Sequence, residues 1–352
     1  MIDRRGVIAS GMAVAVAGAA RAAGHGGAED ARLAGLALPP GFQGMLALGR
    51  AGHIVAARPV GMADIEAGRP VSAGTRFRWG SATKWLVSTA VLRLHEQGRL
   101  SLDAPVARYL PDLRPDDATP VLVRHLLSNT SGIPDLLSRQ VGQEPELRTS
   151  RAPALAIARR FAGAPLSFAP GTGWDYAALN WVIVAALTQQ VTGDPLVATV
   201  QRLVLDPLRL RSTGFAQADQ PDMPALAAAY GVVDPPERKM APVPPFLAAS
   251  GTVAGSAADA VGAAHGIFHG ALLNAASRQE LTRIHWADQD YALGGRVRVI
   301  GGTRYAWEAG KVGGYRALIA HRLDRSETIV VFNTTDLDQA VISALAEDIA
   351  RA

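Results

Sequence analysis

The stretch Arg76–Gly98, RFRWGSATKWLVSTAVLRLHEQG, changes its apolar period part-way along. Phe77 and Trp79 alternate with Arg76, Arg78 and Gly80, the two-residue repeat of a strand. Leu86, Ala90 and Leu94, with Trp85, Val87 and Val91 beside them, then recur at helical spacing. The segment therefore reads as strand, turn and helix, with Gly98 as the helix stop. Ser81 and Lys84 fall at the junction, three positions apart and so on one helix face. A serine at a helix start also lies among unpaired backbone N–H groups, which favour developing negative charge. Its hydroxyl is a weak nucleophile at neutral pH and needs a base within reach, a role that a desolvated, neutral lysine can fill.

Composition gives this pair weight that a bare Ser-x-x-Lys lacks. Of 35 basic residues only Lys84, Lys239 and Lys311 are lysine, the rest being arginine, and arginine does not give up its proton in a protein. A chain so biased towards arginine retains a titratable amine where a base would be needed.

With 352 residues, 49% hydrophobic and 19% charged, the chain can bury a large core and reads as globular. Residues 1–23 read as an export signal: Arg4-Arg5, an apolar stretch from Val7 to Ala20, and small residues around Ala20-Arg21-Ala22 for cleavage. A periplasmic or secreted location follows, and Arg4-Arg5 fits either an ordinary signal or the twin-arginine route. The apolar run is too short and too rich in Gly and Ala for a membrane span. Setting Arg4, Arg5, Arg21 and Asp3 aside lowers the formal net charge from +4 to +2; with no Lys/Arg run, nucleic acid is not an expected partner. There is no cysteine, hence no disulfide, thiol chemistry or Cys-based zinc site. The eight histidines show no HxH or HExxH spacing, so neither a metal nor a cofactor is expected.

Outward from the central stretch, residues 24 to about 40 read as a Gly/Ala-rich leader. Met45–Arg50 and His53–Val60 read as a hairpin split by Arg50-Ala51-Gly52. Helical patterns cover Val121–Leu127, residues 146–163, Trp174–Val191 and Leu196–Leu208, and residues 221–245 are Pro/Ala-rich and loop-like. Ser256 to Asp259 looks like a capping box opening a helix to His269, and Ala276–Ile284 reads as another helix. Strand patterns cover Arg296–Ile300, Thr303–Trp307, Tyr315–His321 and Glu327–Asn333, before a terminal helix from Leu337. Strands at both ends with helices between imply one domain over residues 41–352, its sheet built from the two termini, with a helical subdomain over about 106–250.

Several blocks, in this order, carry a resemblance: Phe77-Arg78-Trp79-Gly80-Ser81-Ala82-Thr83-Lys84, Gly98 to Pro105 (GRLSLDAP), Arg124 to Pro134 (RHLLSNTSGIP), Pro170-Gly171 before Trp174-Asp175-Tyr176, Val191-Thr192-Gly193, Ser250-Gly251 before Ser256 to Asp259, and Gly313-Gly314-Tyr315-Arg316. Over about residues 42–334 the chain resembles the serine β-lactamase and penicillin-binding superfamily, in the branch of class C β-lactamases, DD-carboxypeptidases, D-aminopeptidases and related esterases. The resemblance implies an α+β fold, an antiparallel sheet flanked by helices with an inserted helical subdomain, and a cleft between the two. It also implies Ser81 as nucleophile, Lys84 as base or base-tuning group, and Tyr176 sharing proton transfer with Lys84.

Two departures bear on the substrate. The Asn of the family's Tyr-x-Asn motif is Ala178 here, and Asn180, four residues after Tyr176, faces the same way if a helix has begun. The family's third motif aligns by spacing with Glu308-Ala309-Gly310, or alternatively with Lys311-Val312-Gly313. In the first placement Glu308 puts a carboxylate where relatives carry a cation or histidine, opposing an anionic tyrosine, favouring protonated Lys84 unless Lys311 or substrate pairs with it, repelling a substrate carboxylate and welcoming an amine; the backbone N–H of Lys311, with that of Ser81, forms the oxyanion hole. The resulting expectation is an exported serine hydrolase working through an acyl-enzyme on an ester or amide, with small-molecule or peptide substrates. A β-lactamase or DD-carboxypeptidase using Lys311, and a non-catalytic ligand-binding homologue, are the alternatives. No GxSxG elbow occurs, so the α/β-hydrolase arrangement has no support.

Overall fold

The computed structural model describes residues 26–114, 119–216, 223–240 and 243–352; the expected export signal lies outside them. Helix α1 (Gly26–Ala34) occupies the segment that composition marks as a leader. Its order comes from tertiary contacts: Leu33 is buried, and Arg58 Nη1 donates to the carbonyls of Leu33 (2.8 Å), Ala34 (3.3 Å) and Leu36 (2.9 Å). Strands β1 (Gly44–Arg50) and β2 (His53–Val60) form the expected hairpin. Ala51 and Gly52 take φ 49° and 84° at its turn, the left-handed pair that matches the twist of two-residue hairpins.

After a short pair, β3 (Met62–Asp64) and β4 (Arg69–Pro70), comes β5 (Phe77–Arg78). A 3-10 turn, Gly80–Ala82, leads from it into α2 (Thr83–Glu96). The helical region contains α3 (Val123–Leu127), α4 (Leu136–Gln143), α5 (Ala154–Phe161), α6 (Ala178–Thr192) and α7 (Leu196–Val200). Helix α6 is buried continuously from Leu179 to Thr188, as its all-round apolar sequence requires of a helix at the centre of its neighbours. Next come β6 (Gly214–Phe215) and a hairpin, β7 (Tyr230–Val233) and β8 (Pro236–Arg238), inside the Pro/Ala-rich segment. The chain continues through α8 (Ala248–Gly251), β9 (Val253–Gly255), α9 (Ala257–Phe268) and α10 (Ala275–Leu281). Ser256 caps α9 by accepting from the Asp259 N–H at 3.2 Å. It ends in β10 (Arg296–Ile300), β11 (Thr303–Val312), β12 (Tyr315–Arg322), β13 (Glu327–Asn333) and α11 (Gln339–Arg351).

The main sheet runs β10-β11-β12-β13-β1-β2 with every neighbour antiparallel. The two ends of the chain meet in it, Gly44 opposite Asn333 and Arg50 opposite Glu327. This is the α+β architecture of a helix-flanked antiparallel sheet. Alternation divides its side chains between two cores. Met45, Ala47, Ala317, Ile319, Val330 and Phe332 join the core of α2 and α9. Leu46, Leu48, Leu318, Ala320, Ile329 and Val331 join Leu33 of α1 and Ile342, Leu345 and Ile349 of α11. Strand β10 pairs only with Thr303–Trp307, so the second half of β11, Glu308–Val312, runs on beyond it, and the Gly80 turn sits against that half. Among the described residues no helix is long and apolar enough to cross a membrane.

His321 is wholly buried on β12, its Nδ1 2.8 Å from Thr328 Oγ1 and its Nε2 2.8 Å from His269 Nδ1 of α9. Burial, reinforced by His269 and His265, pushes its pKa down to about 3. The unfolded chain therefore binds this proton more readily, and the stabilisation, complete above about pH 6.5, is lost as pH falls towards 3. Melting temperatures measured between pH 7.5 and 5 should drop for the wild type and drop less steeply for His321→Asn; equal slopes would show that the buried imidazole does not drive acid sensitivity.

Candidate active site

Phe77 and Trp79 anchor the approach to Ser81, their rings 5.2 and 6.3 Å from that of Phe332 on β13. Trp79 N–H donates to Val253 O (2.8 Å) and its indole Nε1 to Gly255 O (3.2 Å), tying the end of β5 to β9. The chain then turns at Gly80, φ 53°. A methyl built on Gly80 would lie 2.7 Å from the Lys311 nitrogen, and one on Gly310 would lie 2.0 Å from Trp79 O. Only two glycines let the turn and β11 approach this closely.

The turn delivers Ser81 and α2 delivers Lys84, whose Nζ donates to Ser81 Oγ (3.1 Å) and to the Ser250 carbonyl (2.7 Å). Lys84 is 2% exposed, and its Nζ lies 5.0 Å from the Tyr176 ring centre and 5.4 Å from that of Trp181. Among the described residues no carboxylate comes within ion-pair distance of it. Tyr176 OH donates to Ser81 Oγ at 2.7 Å, and the residue is 38% exposed. Three residues singled out in the sequence thus share one hydrogen-bonded cluster, with Ser81 Oγ in contact with both partners.

The expected helix from Trp174 begins instead at Ala178, so Tyr176 stands on an extended segment. Two backbone bonds to one loop hold that segment: Asp175 N–H donates to Asn129 O (3.0 Å) and Gly171 N–H to Thr130 O (2.8 Å). Asn180 completes the clamp and is itself buried. Its Nδ2 donates to Asn129 Oδ1 (3.1 Å) and its Oδ1 accepts from Ser131 Oγ (2.7 Å). This corrects the expectation of a substrate contact at Asn180, because both ends of its amide are committed to the loop beneath Tyr176.

Glu308 and Gly310 lie on the face of β11 turned towards α2, and alternation sends the exposed Lys311 side chain the other way. The Lys311 backbone nitrogen, by contrast, lies against the Gly80 turn. Glu308 is 1% exposed, so its expected role as a substrate contact is also corrected. Its ion partner is Arg296, Nη1 to Oε2 3.6 Å, and Oε2 takes no hydrogen bond. Burial raises the Glu308 pKa to about 7, against the opposing pull of Arg296 and Lys84.

Four contributors went unnamed as site residues in the sequence reading. Ser250 offers a backbone carbonyl, which no side-chain pattern advertises. Trp174 and Tyr291 brace Tyr176 with ring centres 6.0 and 6.2 Å away, and the Arg296 guanidinium lies 5.3 Å from the Tyr291 ring centre. The Tyr291 phenol is fully buried, and burial holds its pKa well above the ordinary value, so it stays neutral. Among the described residues no group of three or more His, Cys, Asp or Glu side chains is placed to hold a metal.

The chain belongs to the Beta-lactamase family, whose model matches residues 7–350. Within it the chain is similar to Esterase EstB of Burkholderia gladioli, 43% identical over 182 residues that make up 48% of this chain and 46% of that protein. It is also similar to the putative penicillin-binding protein PbpX of Bacillus subtilis (strain 168), 30% identical over 50% of this chain and 42% of the relative. The matches to these two relatives thus span less than half of their length. Among solved structures, the penicillin binding protein from Bacillus halodurans superposes with a TM-score of 0.76 at 22% identity, covering 87% of this chain and 95% of that one; at that identity the likeness is one of fold.

Because the Gly310 contact is with backbone, a methyl there cannot be absorbed by a side-chain rotation. Gly310→Ala should lower stability by about 2 kcal/mol or more in thermal or urea melts. Gly163→Ala, at a glycine with open space around it, should leave stability little changed. Equal effects would mean that the close approach is not a constraint.

Proposed function

We propose that this chain is a serine hydrolase that forms an acyl-enzyme at Ser81 and releases it to water, acting on an ester or amide rather than chiefly on β-lactams. The observation that carries the reading is the double contact of Ser81 Oγ, 3.1 Å from Lys84 Nζ and 2.7 Å from Tyr176 OH. As Oγ bonds to the substrate carbonyl carbon, its proton passes into the Lys84–Tyr176 pair, which returns it to the leaving group. The backbone N–H groups of Ser81 and Lys311 are assigned to the oxyanion, an assignment supported by the close approach of β11 to the Gly80 turn. Water then attacks the acyl-enzyme by the same route in reverse. Ala178 in place of the motif asparagine, the commitment of Asn180 to its loop and the similarity to an esterase support esters and amides over β-lactams.

A fluorophosphonate probe should label the wild type at Ser81 and leave Ser81→Ala unlabelled, with folding checked by circular dichroism. Lys84→Ala should slow ester hydrolysis by about two to four orders of magnitude, and nitrocefin should turn over far more slowly than a simple aryl ester. A folded wild type that takes no label would replace this reading with that of a ligand-binding homologue.

The pattern Arg4-Arg5, Val7 to Ala20 and Ala20-Arg21-Ala22 supports export to the periplasm or beyond. Mass spectrometry of the protein recovered from the periplasmic fraction or medium should find an N-terminus close to residue 24, whereas intact protein confined to the cytoplasm would refute export.

A further inference from the structure

A cavity of about 340 Å³ lies in the helical region, between α5, α6, α7 and the segment that leads into α8. Its volume is that of a site for a small organic molecule. Ala154 of α5, Ala185 of α6 and Leu196 of α7 line it, together with Phe215 of β6, Phe246 and Ala248. Ser81, Lys84 and Tyr176 are not in its walls; the approach to them is through Ala248, two residues before Ser250, whose carbonyl accepts from Lys84 Nζ. Close-packed interiors leave few voids of this size, and longer side chains at the alanines would close this one. The walls are also rigid. Pro153 and Pro195, both in the lining, open α5 and α7, and the ring of each fixes its φ. The space is therefore preformed rather than dependent on a mobile loop.

Charge decides what fits there. Among the described residues no Asp or Glu lines the cavity, and its polar side chains are those of Arg151 and Gln189, both exposed and so on its solvent side. Among the described residues Arg151 makes no hydrogen bond or ion pair. Other arginines of this region are committed, Arg160 to Glu144 at 2.7 Å and Arg202 to Asp194 at 3.0 Å. An uncommitted guanidinium beside an apolar space suits a carboxylate, which it can hold through two parallel N–H bonds, and the Gln189 amide can supply another donor.

We propose that this cavity is a binding site for an aliphatic monocarboxylate of medium chain length, its hydrocarbon packed between α5, α6 and α7 and its head group paired with Arg151. The apolar walls give affinity that grows with chain length, and the single cation selects the sign of the head group.

Isothermal titration calorimetry of the full chain with hexanoate, heptanoate and octanoate should show binding that tightens about fourfold per methylene. Octyltrimethylammonium, with the same chain and the opposite charge, should not bind. Arg151→Gln should weaken octanoate about tenfold or more, the loss expected for a charge-assisted pair, and leave 1-octanol unchanged. Ala154→Leu should weaken octanoate and octanol alike by filling the cavity, with Ala185→Val as the second variant if the first does not fold. A diazirine-bearing octanoate, photolysed in place and mapped by mass spectrometry, should mark residues of α5, α6 or α7. Octanoate that does not bind at millimolar concentration, an affinity unchanged in Arg151→Gln, tighter binding of the ammonium, or label confined to Ser81 and Tyr176 would overturn the proposal. None of these measurements needs turnover, so a protein that fails to label with fluorophosphonate would remove the hydrolase reading and leave this one still decided by its own test.

Discussion

The structure depends on one close approach, where the backbone of the turn at Trp79 and Gly80 meets the backbone of β11 at Gly310 and Lys311 with no room for a methyl on either side. That contact sets the Ser81 end of α2 against the free half of the second strand of the sheet. Other elements serve to keep it: Trp79 is held by Phe332 and by the carbonyls of β9, and β9 joins β5 to β6 in a small sheet that ties the helical region to the main one. Because these restraints are backbone hydrogen bonds and buried rings, the spacing between Ser81 and Lys311 follows from packing rather than from flexible side chains.

The wall facing the main sheet is built differently. Tyr176 stands on an extended segment and owes its position to a loop whose own shape rests on Asn129 in a left-handed conformation (φ 59°), on Asn180 and Ser131 beneath it, and on the rings of Trp174 and Tyr291 beside it. Loop carbonyls and buried amides fix the backbone, and aromatic edges fix the ring. Tyr176 thus reaches Ser81 from one side while Lys84 reaches it from the other, each carried by an element with its own independent support.

Much of this was legible in the sequence where local periodicity and tertiary packing agree. The change from period two to helical spacing in Arg76–Gly98, the Ala51–Gly52 hairpin, the Ser256 cap and the Glu327–Asn333 strand all appear where their residues call for them. What stayed hidden depends on long-range contact. Helix α1 is held by Arg58 and by a seat for Leu33 in the second core, neither of which its own Gly/Ala-rich composition announces. Trp174 and Tyr176 look helical because they continue the apolar run of α6, yet the segment is drawn out by its bonds to residues 129–130. Spacing put Glu308 and Asn180 in the right neighbourhood, but it carries no measure of depth, and both proved too buried to meet a substrate. Arg296 and Tyr291 carry no motif and enter only because β10 folds back alongside β11.

Helix α1 has a practical corollary. Strand β2 closes one end of the main sheet, and the guanidinium of Arg58 on that strand is satisfied by three carbonyls from the tail of α1 and the residues after it. A shortened gene starting at residue 41, the boundary that composition invites, would delete those acceptors together with the Leu33 plug, leaving a hydrophobic dent and a stranded cation on the outermost strand. Recombinant versions of the protein should therefore begin no later than Gly26.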